Sequence, residues 1–541
     1  MNSRLRIVPL GGLGEIGKNM TVLEYGEEII IIDAGVMFPE SDMLGVDTII
    51  PDYDYLLDKK DRVLAVLITH GHWDHIGALS HLMKEIDVPI YTSPLAARMI
   101  RKDLNEKLKG REVDLIIFKP GDTWKIGSFL IEPFRANHSI PDALGFGITT
   151  PAGLIVHMSD YNFDQTPVFG RPPDFAKLAE LSGRGVLCLL AESTNADKPG
   201  WTRSEAILPP VYGRIFDEAP GRIIVATFST LISRVQLVVD TAIKHGRKIA
   251  ITGRSMRENT KIARELGYLK IPDHVLLDIK DAMKLPPEEI VIVATGTQGE
   301  QFAVLGRLAR GRNRQFDIEE GDTVVFSSHT IPGNEEPVYR VINMLFQRGA
   351  DVYYEQIEDV HVSGHASQEE MKLLINLVRP KFLIPIHGEL RHLKQHAKLA
   401  QQVGVPAENI AVVENGTPIE LKEGGLEIGP RIPGGYVFVD GASVGEIDWQ
   451  VMREREKLAQ NGFFFVFVPT DSQGKVDGIP QIITRGFVSA KGEESLLEGA
   501  IDVVTRMVNK HPGRAHPAEQ SLSHFLFTET GRRPWVQIRM T

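Results

Sequence analysis

A six-residue segment rich in metal-binding side chains follows an apolar stretch in the first hundred residues of the chain. The apolar stretch, residues 63–69, predicts a buried β-strand, and Gly77 soon follows the segment. A loop at a strand end can direct side chains to more than one ion, whereas a helix offers only pairs four residues apart on one face. The sequence therefore predicts a metal site with four ligands on a loop: His70, His72, Asp74 and His75.

The types of these side chains narrow the chemistry of the site. Imidazole nitrogen and carboxylate oxygen suit zinc or manganese, and Cys188 is the only cysteine, which argues against a closed structural zinc site. The pattern favours an open, hydrolytic site over the alternative of a surface loop that is merely rich in histidine. A single cysteine also excludes an intrachain disulfide, which suits a reducing compartment.

Composition describes a globular chain of several domains. With 541 residues the chain exceeds the size of one hydrophobic core, and its 43% hydrophobic and 24% charged residues are ordinary for a soluble protein. No apolar run approaches the roughly 18 residues that span a bilayer, and the first residues lack the apolar core of a secretion signal. We therefore expect no membrane partner and a cytoplasmic location. The net charge of −11 does not exclude nucleic acid, because the local field decides binding.

Strand and helix patterns divide the chain into regions. Up to about residue 200, short β-rich runs alternate with turns and some helices, which predicts a sheet with helices packed against it. From about 205 to 350, strands and helices alternate cleanly, which predicts a parallel, doubly wound unit inserted into the first domain. Residues 430–435 are rich in proline and glycine and predict a linker, and a small α/β pattern follows over 450–541.

Three more polar residues lie at the ends of predicted strands downstream: His138, Asp160 and His387. Each is a weak signal alone, because an isolated histidine is more often structural than a ligand. Together with the first segment they make a set for two ions, which would share a hydroxide and favour phosphodiester hydrolysis. One ion would be bound by His70, His72 and His138, the other by Asp74, His75 and His387, with Asp160 as the bridge.

Longer segments, in order along the chain, resemble one protein family: residues 10–19, 32–35, 193–195, 253–256, 295–300, 331–334 and 532–534. With the metal-binding residues, they resemble the β-CASP nucleases of the metallo-β-lactamase fold, specifically the bacterial ribonuclease J family, over nearly the whole chain. The resemblance implies an α/β fold: a metallo-β-lactamase αββα sandwich, an inserted doubly wound β-CASP domain and a small α/β C-terminal domain. The predicted limits are 1–203 and 353–430 for the sandwich, 204–352 for the β-CASP domain, 431–455 for a linker and 456–541 for a C-terminal oligomerisation domain.

The resemblance also assigns roles to residues. It implies the seven metal ligands named above, two Zn²⁺ or Mn²⁺ ions per subunit, and β-CASP motifs that match Glu192, His365 and His387. His365 would be the general acid that protonates the leaving 3′-oxygen, with Glu192 holding its tautomer and Asp160 completing the catalytic set. The alternative for His365 is a structural role in a turn. Asp33 would orient a ligand histidine from behind.

Two further sites follow from the same resemblance. The first binds substrate phosphate through side chains and backbone N–H groups, and its residues are His361, Val362, Ser363, Gly364, His365 and Ser233. The second holds a structural cation, Ca²⁺, as in some relatives, and its ligands are Asp440 with backbone carbonyls near Leu44 and Val46.

The implied activity is hydrolysis of RNA phosphodiesters by a hydroxide held between two metal ions. The substrate would be single-stranded RNA with a 5′-monophosphate end, degraded 5′ to 3′ with some endonucleolytic cutting, in mRNA decay and ribosomal RNA maturation. The C-terminal domain would form a homodimer or homotetramer, and other RNA-decay proteins are expected partners. The alternatives are a small-molecule metallohydrolase, such as a lactonase or thioesterase, and a non-catalytic RNA-decay scaffold. The inserted domain argues against the former and the complete ligand set against the latter.

The chain departs from the family pattern at several positions without losing a metal ligand. Trp73 stands where glutamate is usual, Ser159 where glycine precedes the bridging aspartate, and Glu192 where aspartate is usual. These changes bear on metal affinity and metal preference. Leu231 and Ser233 stand where asparagine and histidine are common, and they bear on substrate contacts.

Basic and aromatic residues supply candidates for an RNA path. Four arginines fall within eight residues of the inserted domain and suit phosphate groups, although such a charge run is often only a solvated face. Three aromatic residues at strand ends are candidates for base stacking, with burial in the core as the alternative. The arginines are Arg307, Arg310, Arg312 and Arg314, and the aromatic residues are Phe38, Phe134 and Phe228.

Overall fold

The computed structural model of the chain describes residues 4–40, 42–331, 333–422, 425–487 and 493–541. By their internal contacts the residues form two compact units. The first unit comprises Met1–Phe38 and Ile49–Val437, and the second comprises Pro39–Thr48 and Phe438–Thr541. Within the described ranges, no helix is both long and apolar enough to cross a membrane.

Short strands and helices alternate over residues 5–192. In order they are β1 Leu5–Gly11, β2 Met20–Tyr25, β3 Glu28–Ile32, β4 Thr48–Pro51, α1 Asp54–Leu57, β5 Val63–Leu67, α2 Trp73–Ile76, α3 Leu79–Glu85, β6 Ile90–Thr92, α4 Pro94–Lys107, β7 Leu115–Ile117, β8 Trp124–Ile126, β9 Phe129–Arg135, β10 Leu144–Thr150, β11 Gly153–His157, α5 Phe175–Gly183 and β12 Val186–Glu192. The apolar runs of β3 and β5 are buried, as expected for strands covered on both faces.

A separate parallel sheet follows, in which strands and helices alternate. Its elements are α6 Leu208–Glu218, β13 Ile223–Thr227, α7 Ile232–Lys244, β14 Lys248–Ile251, α8 Arg254–Glu265, β15 Leu276–Leu277, α9 Ile279–Ala282, β16 Ile290–Ala294, α10 Val304–Ala309, β17 Thr323–Ser327, α11 Glu335–Gln347 and β18 Asp351–Tyr353. The strand order is β15-β14-β16-β13-β17-β18, and neighbouring strands are parallel. The predicted doubly wound unit is confirmed.

The chain then returns to the first sheets. The next elements are α12 Gln368–Val378, β19 Phe382–Ile386, α13 Leu390–Gln402, β20 Ile419–Lys422 and β21 Gly425–Ile428. Strand β19 pairs in parallel with β12, so that Glu192 lies opposite Ile386. The chain therefore leaves the second sheet at β12 and re-enters it at β19, which makes the doubly wound unit an insertion.

Two mixed sheets face each other to form the main core of the first unit. One has the order β21-β20-β1-β2-β3-β5-β6-β7 and the other β19-β12-β11-β10-β9-β8. Apolar side chains of both sheets share one buried cluster, which includes Ile7, Ile30, Phe146 and Ile384. Helix α4 contacts the first sheet at β7, and α5, α12 and α13 pack over the second. The predicted αββα sandwich is confirmed.

The second unit contains a small sheet with helices on one face. From residue 436 onward the elements are β22 Tyr436–Asp440, β23 Ser443–Val444, α14 Trp449–Asn461, β24 Phe463–Val468, β25 Gln481–Arg485, α15 Glu493–Lys510, α16 His516–Thr530 and β26 Trp535–Met540. The sheet order is β25-β24-β26, and α15 and α16 bury its inner face. Residues 431–455, predicted as a linker, thus contain strands and the start of a helix.

Candidate metal centre

Strand ends of both sheets carry the predicted metal ligands. Strand β5 leads to His70 and His72, β9 to His138, β11 to Asp160, and β19 to His387. The predicted loop is partly wrong, because Asp74 and His75 lie on the single helical turn α2. Backbone bonds from His75 and Ile76 to the His72 carbonyl close that turn. Adjacent residues on a helix diverge by about 100°, so the turn separates these two side chains around the site.

The first group of ligands is formed by three histidines. His70 Nε2 lies 3.0 Å from His72 Nδ1, and His138 Nε2 lies 3.1 Å from the same His72 atom. Two nitrogens bound to one tetrahedral zinc ion would be about 3.3 Å apart, given metal–nitrogen distances near 2.0 Å. The spacing of these donor atoms therefore fits a divalent ion.

The second group combines two histidines with two carboxylates. His75 Nε2 lies 3.4 Å from Asp74 Oδ2 and 3.2 Å from Asp160 Oδ2, and His387 Nε2 lies 3.5 Å from Asp74 Oδ2. Asp160 Oδ2 also lies 3.8 Å from both His70 Nε2 and His138 Nε2. Asp160 therefore stands between the two groups, where a bridging carboxylate would be needed.

Protonation of these groups also fits metal binding. Burial lowers the pKa of His72 to about 3 and that of His138 to about 4, so both imidazoles are neutral and free to act as ligands. Burial opposes the charge of His75 and His387 as well, but the neighbouring Asp160 carboxylate outweighs it and raises the pKa of both. A divalent ion would displace the protons of these two histidines.

Asp33 supports the site from behind, as the resemblance implied. Its Oδ2 lies 2.8 Å from His75 Nδ1, and its Oδ1 accepts a 2.8 Å hydrogen bond from the Thr69 backbone N–H. Asp33, Ser159 and His387 all have positive φ angles, of 61°, 57° and 47°. Such angles cost a residue other than glycine roughly 1 kcal/mol and cluster at functional sites. Ser159 thus adopts a conformation that the glycine usual at this position would take without strain.

His365 and Glu192 form a hydrogen-bonded pair beside the metal ligands. His365 Nδ1 lies 2.7 Å from Glu192 Oε2, and Glu192 Oε1 accepts a 2.8 Å bond from the Tyr161 backbone. Burial raises the pKa of Glu192 and lowers that of His365 to about 4, because charge is disfavoured on both. The ring of His365 is centred 4.9 Å from that of His138, and with His138 and Asp160 it also offers a ligand atom.

The segment 361–365 touches the metal site through its backbone. The Gly364 carbonyl oxygen lies 2.8 Å from His138 Nδ1, which leaves Nε2 of His138 for the metal group. A Cβ atom at position 364 would lie 2.8 Å from that same nitrogen, so only glycine fits. Ser363 Oγ accepts bonds from Asn195 Nδ2 and from the His365 backbone N–H.

The other predicted phosphate-binding residues differ in their surroundings. Both ring nitrogens of His361 are buried, and the ring contacts the Ser327 backbone. The Val362 side chain is buried in the core of the insertion, so only its backbone is free to meet substrate. Ser233 donates a 3.2 Å hydrogen bond to Glu205 Oε1, and Leu231 is buried.

Trp73 does not belong to either group of ligand atoms. Its ring is 41% exposed and lies 5.1 Å from Lys107 Nζ on α4. The presence of tryptophan where glutamate is usual therefore leaves both groups of candidate metal-binding atoms intact. Of the candidate stacking residues, Phe38 is 63% exposed, whereas Phe134 lies in the core at 1% exposure, as its alternative predicted.

An arginine occupies the surroundings of the predicted structural cation. In the second unit, Arg455 Nη1 donates to the Leu44 carbonyl oxygen at 3.0 Å, and Nη2 donates to Asp440 Oδ2 at 2.7 Å. The Val46 backbone N–H bonds to the Met43 carbonyl oxygen. The carboxylate and a carbonyl predicted to bind Ca²⁺ are thus bound by a guanidinium group of the chain itself.

Sequence reasoning missed Glu370, a fully buried carboxylate near the site. Its oxygens accept bonds of 2.7–2.8 Å from the backbone N–H groups of Phe163, Thr202 and Ser367. Thr202 in turn donates to the His365 carbonyl oxygen at 2.7 Å, so Glu370 holds the backbone next to that histidine through Thr202 and Ser367. The sequence signal that could have identified Glu370 is a Ser-x-x-Glu capping box at the start of α12.

Comparisons with known proteins cover the same regions. Family models match residues 13–155 (Metallo-beta-lactamase superfamily), 220–345 (Ribonuclease J, beta-CASP domain), 349–412 (Zn-dependent metallo-hydrolase RNA specificity domain) and 450–541 (Ribonuclease J C-terminal domain). A solved protein of unknown function from Enterococcus faecalis V583 shares the fold, with a TM-score of 0.55 and 18% identity over 77% of this chain and all of its own.

Curated relatives match along almost their whole length. Ribonuclease J2 of Bacillus subtilis is 39% identical over 98% of this chain and 97% of its own. Ribonuclease J of Thermus thermophilus is 43% identical over 98% of this chain and 94% of its own. Such agreement does not favour a lactonase, a thioesterase or a non-catalytic scaffold. The chain therefore belongs to the ribonuclease J family, and it is a divalent-metal-dependent ribonuclease of the metallo-β-lactamase superfamily.

Proposed function

We propose that this ribonuclease hydrolyses RNA with two metal ions, one in each ligand group, and with His365 as the general acid. The observation that carries the proposal is the position of Asp160, which lies between both groups, next to the His365–Glu192 pair. Bound Zn²⁺ or Mn²⁺ ions would supply a hydroxide nucleophile at neutral pH and offset the charge of the transition state. The seven ligand side chains would hold the ions, and Asp33 would keep His75 in the tautomer that presents Nε2.

His365 delivers a proton to the leaving 3′-oxygen in this proposal. The Glu192 carboxyl group lies 2.7 Å from His365 Nδ1 and would hold the ring in place while the proton is transferred. Glu192 orients the ring through Nδ1, which leaves Nε2 as the donor to substrate. Its own position is fixed by the Tyr161 backbone N–H.

We propose the segment 361–365, with Ser233, as the site of the 5′-phosphate. The buried ring of His361, centred 5.0 Å from the ring of His329, supports this role, because a phosphate would offer these imidazoles a charged acceptor. A phosphate held there would set the scissile bond one nucleotide away and explain 5′-to-3′ degradation of 5′-monophosphorylated RNA. Endonucleolytic cutting would occur when RNA enters without an end in that pocket. The cellular roles would be mRNA decay and ribosomal RNA maturation in the cytoplasm, together with other RNA-decay proteins.

We propose the domain limits 1–203 and 353–430 for the sandwich, 204–352 for the β-CASP domain and 456–541 for the C-terminal domain, with 431–455 as a connecting segment that carries β22 and β23. The C-terminal domain would form a homodimer or homotetramer. The outer face of the β25-β24-β26 sheet supports this assembly, because Phe467 and Ile483 are 37% and 46% exposed there. Light scattering of the full chain measures the mass directly. A structural Ca²⁺ at Asp440 stays a prediction, and it would have to displace Arg455.

A leaving-group comparison tests the role of His365. We expect His365→Ala to slow hydrolysis of 5′-monophosphorylated RNA by about 10²–10⁴-fold, the usual contribution of a general acid. A nucleotide p-nitrophenyl ester should lose far less, because nitrophenolate leaves without a proton. Rates on both substrates, with Mn²⁺ or Zn²⁺, give the comparison.

Two variants control this test. Glu192→Gln should show a smaller loss with the same dependence on the leaving group, and His274→Ala, an exposed histidine of the insertion, should show none. Equal losses on both substrates in His365→Ala would contradict the acid role and favour His365 as a ligand. RNAs with 5′-hydroxyl, monophosphate and triphosphate ends test the phosphate pocket. Equal rates on all three would refute it.

A further inference from the structure

A loop of the inserted domain presents a phenylalanine to solvent next to several arginines. Phe302 lies in the connection between β16 and α10 and is 87% exposed, although burial is the normal state of such a side chain. Arg307 and Arg310 follow on and just after α10, and Arg312 and Arg314 are exposed in the loop beyond it. One exposed phenyl ring and four guanidinium groups thus fall within thirteen residues.

The four arginines lack a carboxylate partner within the described part of the chain. Among the residues that the structure describes, none of them forms an ion pair, whereas Arg222 and Arg348 of the same domain pair with Asp322 and Asp317. Arg307 donates instead to the Phe302 carbonyl oxygen, and Arg310 to the Gly306 carbonyl oxygen at 2.8 Å. Their charge is therefore not neutralised locally, and it is available to an anionic ligand.

The Phe302 loop is connected by direct contacts to the proposed phosphate site. Gln298 Nε2 donates to the His329 carbonyl oxygen at 2.9 Å, and Gln298 Oε1 accepts from the Ile331 backbone N–H at 2.9 Å. The ring of His329 is centred 5.0 Å from that of His361. Phe302 follows Gln298 by four positions, so their Cα atoms are at most about 14 Å apart. An RNA strand whose phosphate is bound at residues 361–365 can therefore extend to the Phe302 ring.

The topology puts this loop on the ligand-binding edge of the parallel sheet. Strands β13, β16 and β17 are adjacent, and the loops after their carboxyl ends carry Phe228, Phe302 and His329. Open parallel sheets bind their ligands outside these carboxyl ends. The exposed ring and the unpaired arginines therefore lie where a ligand of the inserted domain is expected.

We infer that Phe302 and the four arginines form an RNA-contact surface, on which the ring stacks against a base and the guanidinium groups bind phosphates. An aromatic ring beside unpaired positive charge matches single-stranded nucleic acid, which offers both a stacking face and phosphates at every residue. The inference rests on the proposed function, because it extends the path of the same RNA beyond the phosphate site.

Binding to an inactive chain tests the surface without cleavage. In an Asp74→Ala background, Phe302→Ala should bind a labelled 5′-monophosphorylated single-stranded RNA about tenfold more weakly by fluorescence anisotropy, and Phe302→Trp should bind normally. Arg312→Glu with Arg314→Glu should weaken binding at least as much. It should also lower the slope of log affinity against log salt by about 0.7 for each phosphate that the variant no longer binds.

Matched controls are available on α11 of the same domain. Phe346 is 45% exposed and Arg340 is paired with Glu336, so Phe346→Ala and Arg340→Glu should leave binding unchanged. Thermal denaturation of every variant checks folding. Equal affinity of Phe302→Ala and the parent would overturn the inference, and so would an equal loss in Phe346→Ala.

Activity of the otherwise unaltered chain separates this inference from the proposed function. Phe302→Ala should keep the parent rate on bis(p-nitrophenyl) phosphate, which is too small to reach the ring, and should raise KM for long RNA with little change in kcat. If the parent hydrolyses neither substrate with Mn²⁺ or Zn²⁺, the proposed function fails. If the parent is active and Phe302→Ala has its KM for long RNA, only the RNA-contact surface fails.

Discussion

Two clusters that contain carboxylates, the candidate metal centre and the surroundings of Asp440, balance their negative charge in different ways. In the metal centre, the ion-pair partners of Asp74 and Asp160 among the described residues are all histidines. Around Asp440 in the second unit, Arg455 binds the carboxylate and the nearby Leu44 carbonyl. The carboxylates of the candidate metal centre therefore depend on a cation from outside the chain, whereas Asp440 is paired with an arginine of the chain itself.

The difference shows what distinguishes a metal site from a charged cluster. The burial of carboxylates and imidazoles close together is unfavourable in free energy unless a cation binds between them. At the metal centre the Asp160 carboxylate raises the pKa of His75 and His387, which shows how strongly this cluster favours a positive charge. At Asp440 the guanidinium already provides it, so a metal ion would gain little there.

The largest expected effect comes from removing one ligand of the metal centre. His75→Ala should reduce RNA hydrolysis by about 10³-fold or more, because it removes a ligand and leaves Asp160 without that partner. Initial rates with saturating Mn²⁺ or Zn²⁺ measure the effect. His81→Ala, a histidine outside both ligand groups, is the control. Unchanged cleavage in His75→Ala would sink the two-metal mechanism.

A smaller effect is expected from the carboxylate behind the ligands. Asp33→Asn keeps an oxygen for the Thr69 backbone N–H but loses the acceptor for His75 Nδ1–H, so the imidazole is no longer held in the ligating tautomer. Metal affinity should fall about 10–100-fold, as measured by competition with a chromogenic chelator. Asp58→Asn, an exposed position, should bind metal like the parent. An unaltered affinity would mean that Asp33 is not an orienting residue.

The smallest effect is expected at the arginine-bound site. Arg455 and Asp440 are about one-third exposed, so Arg455→Ala should lower the free energy of unfolding by only ~1 kcal/mol or less. Thermal melts with and without Ca²⁺ sharpen the comparison. Ca²⁺ should stabilise Arg455→Ala more than the parent or Arg453→Ala, whose guanidinium donates only within its own helix. A larger Ca²⁺ effect on the parent would show that the cation and the guanidinium do not compete.

Much of the fold, and the candidate metal centre at residues 70–75, could be predicted because the signals are local. The continuous apolar run of residues 63–69 marked β5, which spans Val63–Leu67, and the donor types of residues 70–75 indicated a metal site. The positions of His365 and Glu192 came from family motifs, since nothing local distinguishes them from structural residues. Glu370 and Arg455 were missed because the groups they bind lie far away along the chain.

The sequence by itself determined which side chains are available, namely a complete set of neutral and acidic ligands, strands to present them and an inserted parallel unit. Only the tertiary structure decided which of them meet. The parallel pairing of β12 with β19 brings Glu192 and His387, 195 positions apart in the chain, to the same end of one sheet, where His387 lies close to His75. The tertiary structure also pairs Arg455 with Asp440, while the four arginines that follow Phe302 form no ion pair with any residue that the structure describes. The interaction between two charges depends on their distance in space, and that distance cannot be read from their separation along the chain.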